Sequence, residues 1–143
     1  MKIERTVEVD RPVAVVFAYL SDFTTTTQWD PGTVRTTLIQ GDGGVGTTYH
    51  NTSSFNGRET ELVYEVTDLV PNELFALRGE NKTLVARDTM RFEATPSGGT
   101  RMTYTADFTF KGLAKLIAPL LGPAFKKLGD EAEQGLHDTL GSL

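Results

Sequence analysis

Asp88 stands in the segment "LVARDTMRF", residues 84–92, whose pattern sets a carboxylate among apolar neighbours. Successive strand side chains alternate faces, so Leu84, Ala86, Asp88, Met90 and Phe92 share one side, and Val85, Arg87, Thr89 and Arg91 the other. An ionised carboxylate on such a face costs several kcal/mol unless it is paired or hydrogen bonded. The segment "RMTYTADFTF", residues 101–110, supplies a partner. Register across the "TPSGG" turn puts Met90 opposite Tyr104 and Asp88 opposite Ala106, which makes Tyr104 a diagonal neighbour able to give its hydroxyl to Asp88. Arg78 is a second candidate partner, and a bulge that turns Asp88 to solvent is the alternative. Asp88 and Tyr104 together are the candidate acid/base pair, since proton transfer needs such groups within hydrogen-bond reach of a substrate.

Other chemistries find little support. The two histidines, His50 and His137, have no ligand partner at helical or hairpin spacing, so no metal site is expected. Cysteine is absent, which removes thiolate chemistry and disulfides. "GDGGVG" lacks the Lys-Ser/Thr of a phosphate loop and runs into a strand, so it reads as a glycine-rich hairpin. No Gly-x-Ser-x-Gly elbow occurs, and "DEAE" at 130–133 is a solvated helix face. No cofactor is expected.

The elements that must position Asp88 and Tyr104 follow from periodicity. The chain has 143 residues, 38% hydrophobic and 23% charged, which suits one soluble domain with one sizeable core. A net charge of -5 argues against nucleic acid as partner. "MKIERTVEVD" is a half-buried strand and not a leader, which gives the cytoplasm as the expected location. Pro12 opens a short helix with the stripe Val13, Val16, Phe17 and Leu20, and Thr24 to Trp29 forms a second helical turn. Six strands follow, over 33–40, 47–55, 58–69, 73–79, 83–95 and 99–111, the "NG" at 56–57 marking a tight hairpin. From Gly112 to Gly141 apolar residues recur at helical spacing: Leu113, Leu116, Ile117, Leu120, Leu121, Leu128, Ala132, Leu136 and Leu140. Pro119 and Pro123 predict a short lead-in and then a long helix starting near one of them. The class is α+β: a curved, seven-stranded antiparallel sheet with one long helix on its apolar face.

Several passages together carry a resemblance: "VDRPVAVVFAYLSDF", "QWDPG", "GRETELVYEV", "RFEATPSGGTRMTYTADF" and "GLAKLIAPLLGPAFKKL". In order and spacing they resemble the START-like, polyketide cyclase/dehydrase superfamily with the helix-grip fold, over essentially the whole chain. The resemblance implies a deep cavity between sheet and C-terminal helix, holding a lipid, a polyketide or another apolar molecule. It also implies that the stretch after the first helix closes over the cavity entrance. Trp29 then sits at the rim with the threonines outside it, or else plugs one end of the core.

The expected ligand-facing set is Trp29, Tyr49, Asn51, Phe55, Tyr64, Asp88, Met90, Tyr104, Phe108 and Leu120. Tyr49, Asn51 and Phe55 are the preferred inward set of their strand, Tyr64 shares a face with Leu62 and Val66, and Phe108 faces in with Met102, Tyr104 and Ala106. Leu120 comes from the helical stripe. Three functions remain open: binding, with or without transport, of a small hydrophobic molecule; a cyclase/dehydrase-type reaction using Asp88 and Tyr104; and a protein-interaction module, which needs an exposed apolar patch that the polar outward strand faces do not offer. The expected partner is a small hydrophobic molecule, with no nucleic acid, no membrane role for the leucines of the core-facing stripe, and a monomer or weak homodimer.

Overall fold

Alternation of side chains along 2–9 makes β1 (Lys2–Val9), with Ile3 and Val7 buried. Pro12 precedes α1 (Val13–Leu20), which buries Val16, Phe17 and Leu20. A 3₁₀ turn over Phe23–Thr25 follows, its Thr24 N–H taken by the Asp22 side chain, and then the single turn of α2 (Thr26–Trp29). The computed structural model describes residues 1–143 and continues as an antiparallel meander. Its strands are β2 (Thr33–Gln40), β3 (Thr48–Phe55), β4 (Arg58–Val70), β5 (Leu74–Glu80), β6 (Leu84–Ala94) and β7 (Thr100–Phe110). A lead-in helix α3 (Ala114–Ile117), a 3₁₀ turn (Ala118–Leu121) and the long α4 (Gly122–Gly141) complete the chain. No helix is long and apolar enough to cross a membrane.

The seven strands form one sheet in the order β1-β7-β6-β5-β4-β3-β2. Neighbours in sequence are neighbours in the sheet except at β1, which closes on β7 while α1 and α2 carry the chain to the far edge. At the β3–β4 hairpin Asn56 and Gly57 have φ of 52° and 81°, the pair of positive values that lets a two-residue turn follow the sheet twist. The β6–β7 register pairs Met90 with Tyr104 and Asp88 with Ala106, as the turn predicted, with no bulge between them.

The core has two parts. Under α1 it is filled: Phe17 meets Phe92 edge-on at 5.1 Å, and Phe75, Leu77, Met90 and Met102 are almost wholly buried. Under α4 the helix buries Phe125, Gly129, Ala132, Leu136 and Leu140. Arg5 ties β1 to that helix through Asp130 at 3.0 Å and Glu133 at 3.4 Å. At the other end Arg11 donates to the carbonyls of Gly141 and Leu143, at 2.6 and 2.7 Å, where a cation also suits the helix dipole.

The long helix begins at Gly122 with Pro123 in its first turn, as its sequence predicts, but the lead-in departs from the single stripe. Leu113, Leu116, Ile117 and Leu120 are 85%, 74%, 53% and 77% exposed. The apolar spacing runs on past both prolines, whereas Pro119 lies in a 3₁₀ turn, and the change of helix type resets which side faces the sheet. An exposed apolar surface is thus present after all, on this segment.

Candidate functional site

Between the concave sheet and α4 lies a cavity of about 520 Å³. Its apolar wall comes from inward-facing positions: Leu62 of β4, Leu84 of β6, Ala106, Phe108 and Phe110 of β7, and Phe125, Leu128 and Ala132 of α4. Phe125 is the hub, with Phe55, Phe108 and Phe110 at ring separations of 4.8, 4.9 and 5.9 Å. It escaped the sequence reading, although it stands four residues after Leu121 and three before Leu128, the spacing that marks one helix face.

The cavity has a closed end and an open one. Thr26, Trp29, Asn51, Tyr64, Asp88 and Tyr104 line it and are buried, whereas Asn56, Arg58, Thr83 and Ile117 line it and are exposed. The opening therefore lies between the β3–β4 turn, the β5–β6 turn and the lead-in segment. Of the two placements expected for Trp29, the rim and a plug at one end of the core, the structure has the second: it is at the opposite end and only 2% exposed. The threonine tract is not simply an outer surface either. Thr25 and Thr26 are buried, and the Thr26 hydroxyl lies 2.7 Å from that of Thr36, to which the Asn51 amide donates at 2.8 Å. Ser53 donates in turn to Asn51 at 2.8 Å.

Trp29 is held by backbone packing. A Cβ on Gly135 would come within 1.8 Å of the Trp29 carbonyl oxygen, so only glycine lets α4 approach this turn so closely. Thr139 donates to the neighbouring Gln28 carbonyl at 3.2 Å. Asp30 shapes the turn, accepting from the Gly32 amide and the Thr33 hydroxyl, each at 3.0 Å.

Asp88 is 5% exposed, on the cavity wall, and accepts the Tyr104 hydroxyl on Oδ2 at 3.0 Å. Its Oδ1 is buried and has no hydrogen-bond partner. Burial pushes the carboxyl up to about 7, against the Tyr104 hydrogen bond, which favours the anion, and with help from the charge of Asp30. Burial, then the Asp88 charge, pushes the Tyr104 and Tyr64 phenols well above their usual range. The Tyr104 ring meets Trp29 edge-on at 5.7 Å, and the Trp29 Nε1–H, also buried, has no acceptor. Arg78, the other candidate partner for Asp88, faces away and pairs with Glu80 at 2.9 Å.

Of the expected ligand-facing residues, the cavity wall includes Trp29, Asn51, Phe55, Tyr64, Asp88, Tyr104 and Phe108. Tyr49, Met90 and Leu120 are not on it. Tyr49 points inward but packs against Phe23, 5.6 Å between rings, and Phe23 takes the place on the wall. Met90 is fully buried in the filled part of the core, opposite Phe75 and Tyr104. Leu120 points to water, and its neighbour Leu121 lines the cavity instead. Tyr64 keeps its place because Gly79, its cross-strand partner, has no side chain: a Cβ there would lie 2.7 Å from the ring. His50 faces outward, 3.2 Å from Glu61.

A family model described as "Polyketide cyclase / dehydrase and lipid transport" matches residues 1–141. The chain belongs to that family. Among solved structures of similar fold is the Zhui aromatase/cyclase from Streptomyces sp. R1128, with a TM-score of 0.82 at 15% identity over 97% of this chain and 92% of that one. A START superfamily protein from Mycobacterium smegmatis aligns at 0.75 and 17% identity, covering 99% and 94% of the two chains. A conserved protein from Geobacillus kaustophilus aligns at 0.75 and 18% identity, covering 99% and 96%. At such identities the likeness is one of fold: the family's curved antiparallel sheet gripping a C-terminal helix. No curated protein matches the chain.

Proposed function

We propose that the chain binds, and can hand on, a small and largely apolar molecule in the cavity under α4. The cavity carries this reading: about 520 Å³, with a mainly apolar wall in which phenylalanine and leucine are the commonest residues, and with buried polar groups at its closed end. Apolar burial supplies affinity in such a site, and a few fixed polar groups orient what is bound. The family description includes lipid transport, which agrees with a carrier role. Native mass spectrometry of the purified protein, joined to calorimetric titration with decan-1-ol, tests it. A retained small molecule or saturable binding of the alcohol is expected. Absence of both would remove the reading.

A second reading rests on Asp88. A carboxyl that titrates near neutral pH, with one oxygen uncommitted and on a side chain that lines a cavity, is suited to take a proton from a bound molecule and return it. An enolisable ketone is the simplest substrate for such a step: Asp88 takes the proton next to the carbonyl and becomes neutral, and the unpaired Trp29 Nε1–H is the donor available to the enolate oxygen. Exchange of the acidic hydrogens of 2-tetralone for solvent deuterium, followed by mass spectrometry, checks it. Acceleration by the parent and not by Asp88→Asn is expected. Exchange at the background rate in the parent leaves a binder without turnover.

A further inference from the structure

At the closed end the protein leaves two hydrogen-bonding atoms unmade, and they are complementary. The Trp29 Nε1–H can only donate, and Asp88 Oδ1 accepts whenever the carboxylate is ionised. Both atoms are buried without a partner, and both side chains line the cavity. They are also linked: Trp29 meets Tyr104 edge-on at 5.7 Å, and Tyr104 donates to the other oxygen of Asp88 at 3.0 Å. A buried donor or acceptor left open costs about 1–3 kcal/mol, so an unpaired donor and an unpaired acceptor on two side chains of one blind end favour a ligand that satisfies both. Asp30, Asn51 and Thr26, also at this end, already have partners within the protein, and the Tyr64 hydroxyl, which makes no hydrogen bond, is one further group that could meet a bound oxygen.

We infer that the molecule bound in this cavity carries a neutral hydroxyl, a phenol or an alcohol, whose oxygen accepts from Trp29 Nε1–H and whose hydrogen is given to Asp88 Oδ1. This deepens the binding reading and rests on it. A carboxylate head does not fit. The closed end already holds Asp88 and Asp30, and the one cationic side chain on the cavity wall, Arg58, is exposed at the other end. An anionic group would have to stop at the opening. An ether or a hydrocarbon of the same shape would leave Asp88 Oδ1 unpaired in both states.

Calorimetric titration at pH 8, where Asp88 is mainly ionised, with 2-naphthol, 2-methoxynaphthalene, naphthalene and 2-naphthoate separates these cases. The naphthol is expected to bind about tenfold or more tighter than its methyl ether, since a hydrogen bond to a charged group has that worth. Trp29→Phe and Asp88→Asn, checked for native circular dichroism, are each expected to reduce at least threefold the ratio of naphthol to naphthalene affinity measured within the same variant. Equal binding of naphthol, ether and naphthalene, or a preference for the naphthoate, overturns the hydroxyl assignment and leaves the cavity reading standing. A parent-like naphthol preference in both variants also overturns it. If none of the four binds, the cavity reading falls and the assignment with it.

Discussion

Tyr104 and Asp88 are diagonal neighbours across the β6–β7 ladder, and the tyrosine hydroxyl donates to the carboxylate at 3.0 Å in a fully buried setting. Tyr104 is the only protein group hydrogen bonded to that carboxylate, and no cation faces it. Asp30, Tyr64 and Tyr104 are the titratable groups that do.

The first prediction concerns pH. The Asp88 carboxyl titrates at about 7 in the fold against about 4 in an unfolded chain, so its protonated form is the one the fold prefers. Its stabilisation is full below about pH 4, is lost as pH rises toward 7, and changes no further above that. Urea unfolding between pH 4.5 and 8 is expected to show parent stability falling with pH relative to Asp88→Asn, whose difference from the parent isolates this group. Glu80, held down to about 2 by hydrogen bonds from Lys111 and Arg78, acts in the opposite direction and below that window. Parallel curves for parent and variant would show that Asp88 ionises freely.

Removing the Tyr104 hydroxyl takes away the one bond that favours the anion. In Tyr104→Phe the Asp88 carboxyl should titrate higher than in the parent, read by carbon NMR of the labelled aspartate side chains. A downward shift would mean that the tyrosine does not hold the charged form.

Gly135→Ala drives a Cβ into the Trp29 carbonyl, a backbone atom that cannot swing aside. A loss of about 1–3 kcal/mol in denaturant unfolding is expected, together with a changed emission maximum for the single tryptophan. Gly122→Ala in the same helix meets nothing within 4 Å and should be neutral or stabilising by up to about 1 kcal/mol. Equal behaviour of the two variants would mean the helix does not press on that turn.

Two leucines of the stretch that reads as one stripe should differ sharply. Leu136, fully buried, should cost about 2–5 kcal/mol on substitution by alanine. Leu120, 77% exposed, should cost no more than about 0.5 kcal/mol by the same chemical unfolding measurement. A large loss for Leu120→Ala would place it against the sheet.

Much of the fold was legible because strand alternation and turn residues are local signals. The β6–β7 register, and with it the Asp88–Tyr104 contact, follows from the turn between the strands and from strict alternation. Three things were not. Facing inward is not the same as facing the cavity: Phe23 packs against Tyr49 and Phe75 and takes the place on the wall, while Tyr49 and Met90 lie in the filled core. The phase of the lead-in depends on a change of helix type at Pro119, which periodicity averages over. Which end of the cavity is shut depends on the approach of Gly135 to Trp29, residues 106 positions apart in the sequence, and no local pattern encodes that.

That same approach bears on ligand length. A blind end bounded by helix backbone and sheet cannot recede, whereas the opposite wall is one short helix and a 3₁₀ turn with leucines in water. On the binding reading a guest is therefore measured from one fixed stop, and the cavity works as a depth gauge. Within a homologous series of primary alcohols each added methylene should gain about 0.8 kcal/mol while the chain still has wall beside it. The increments should cease where the tail passes Ile117 and Leu121, so the chain length at which affinity levels off reads out the distance from Trp29 to the opening.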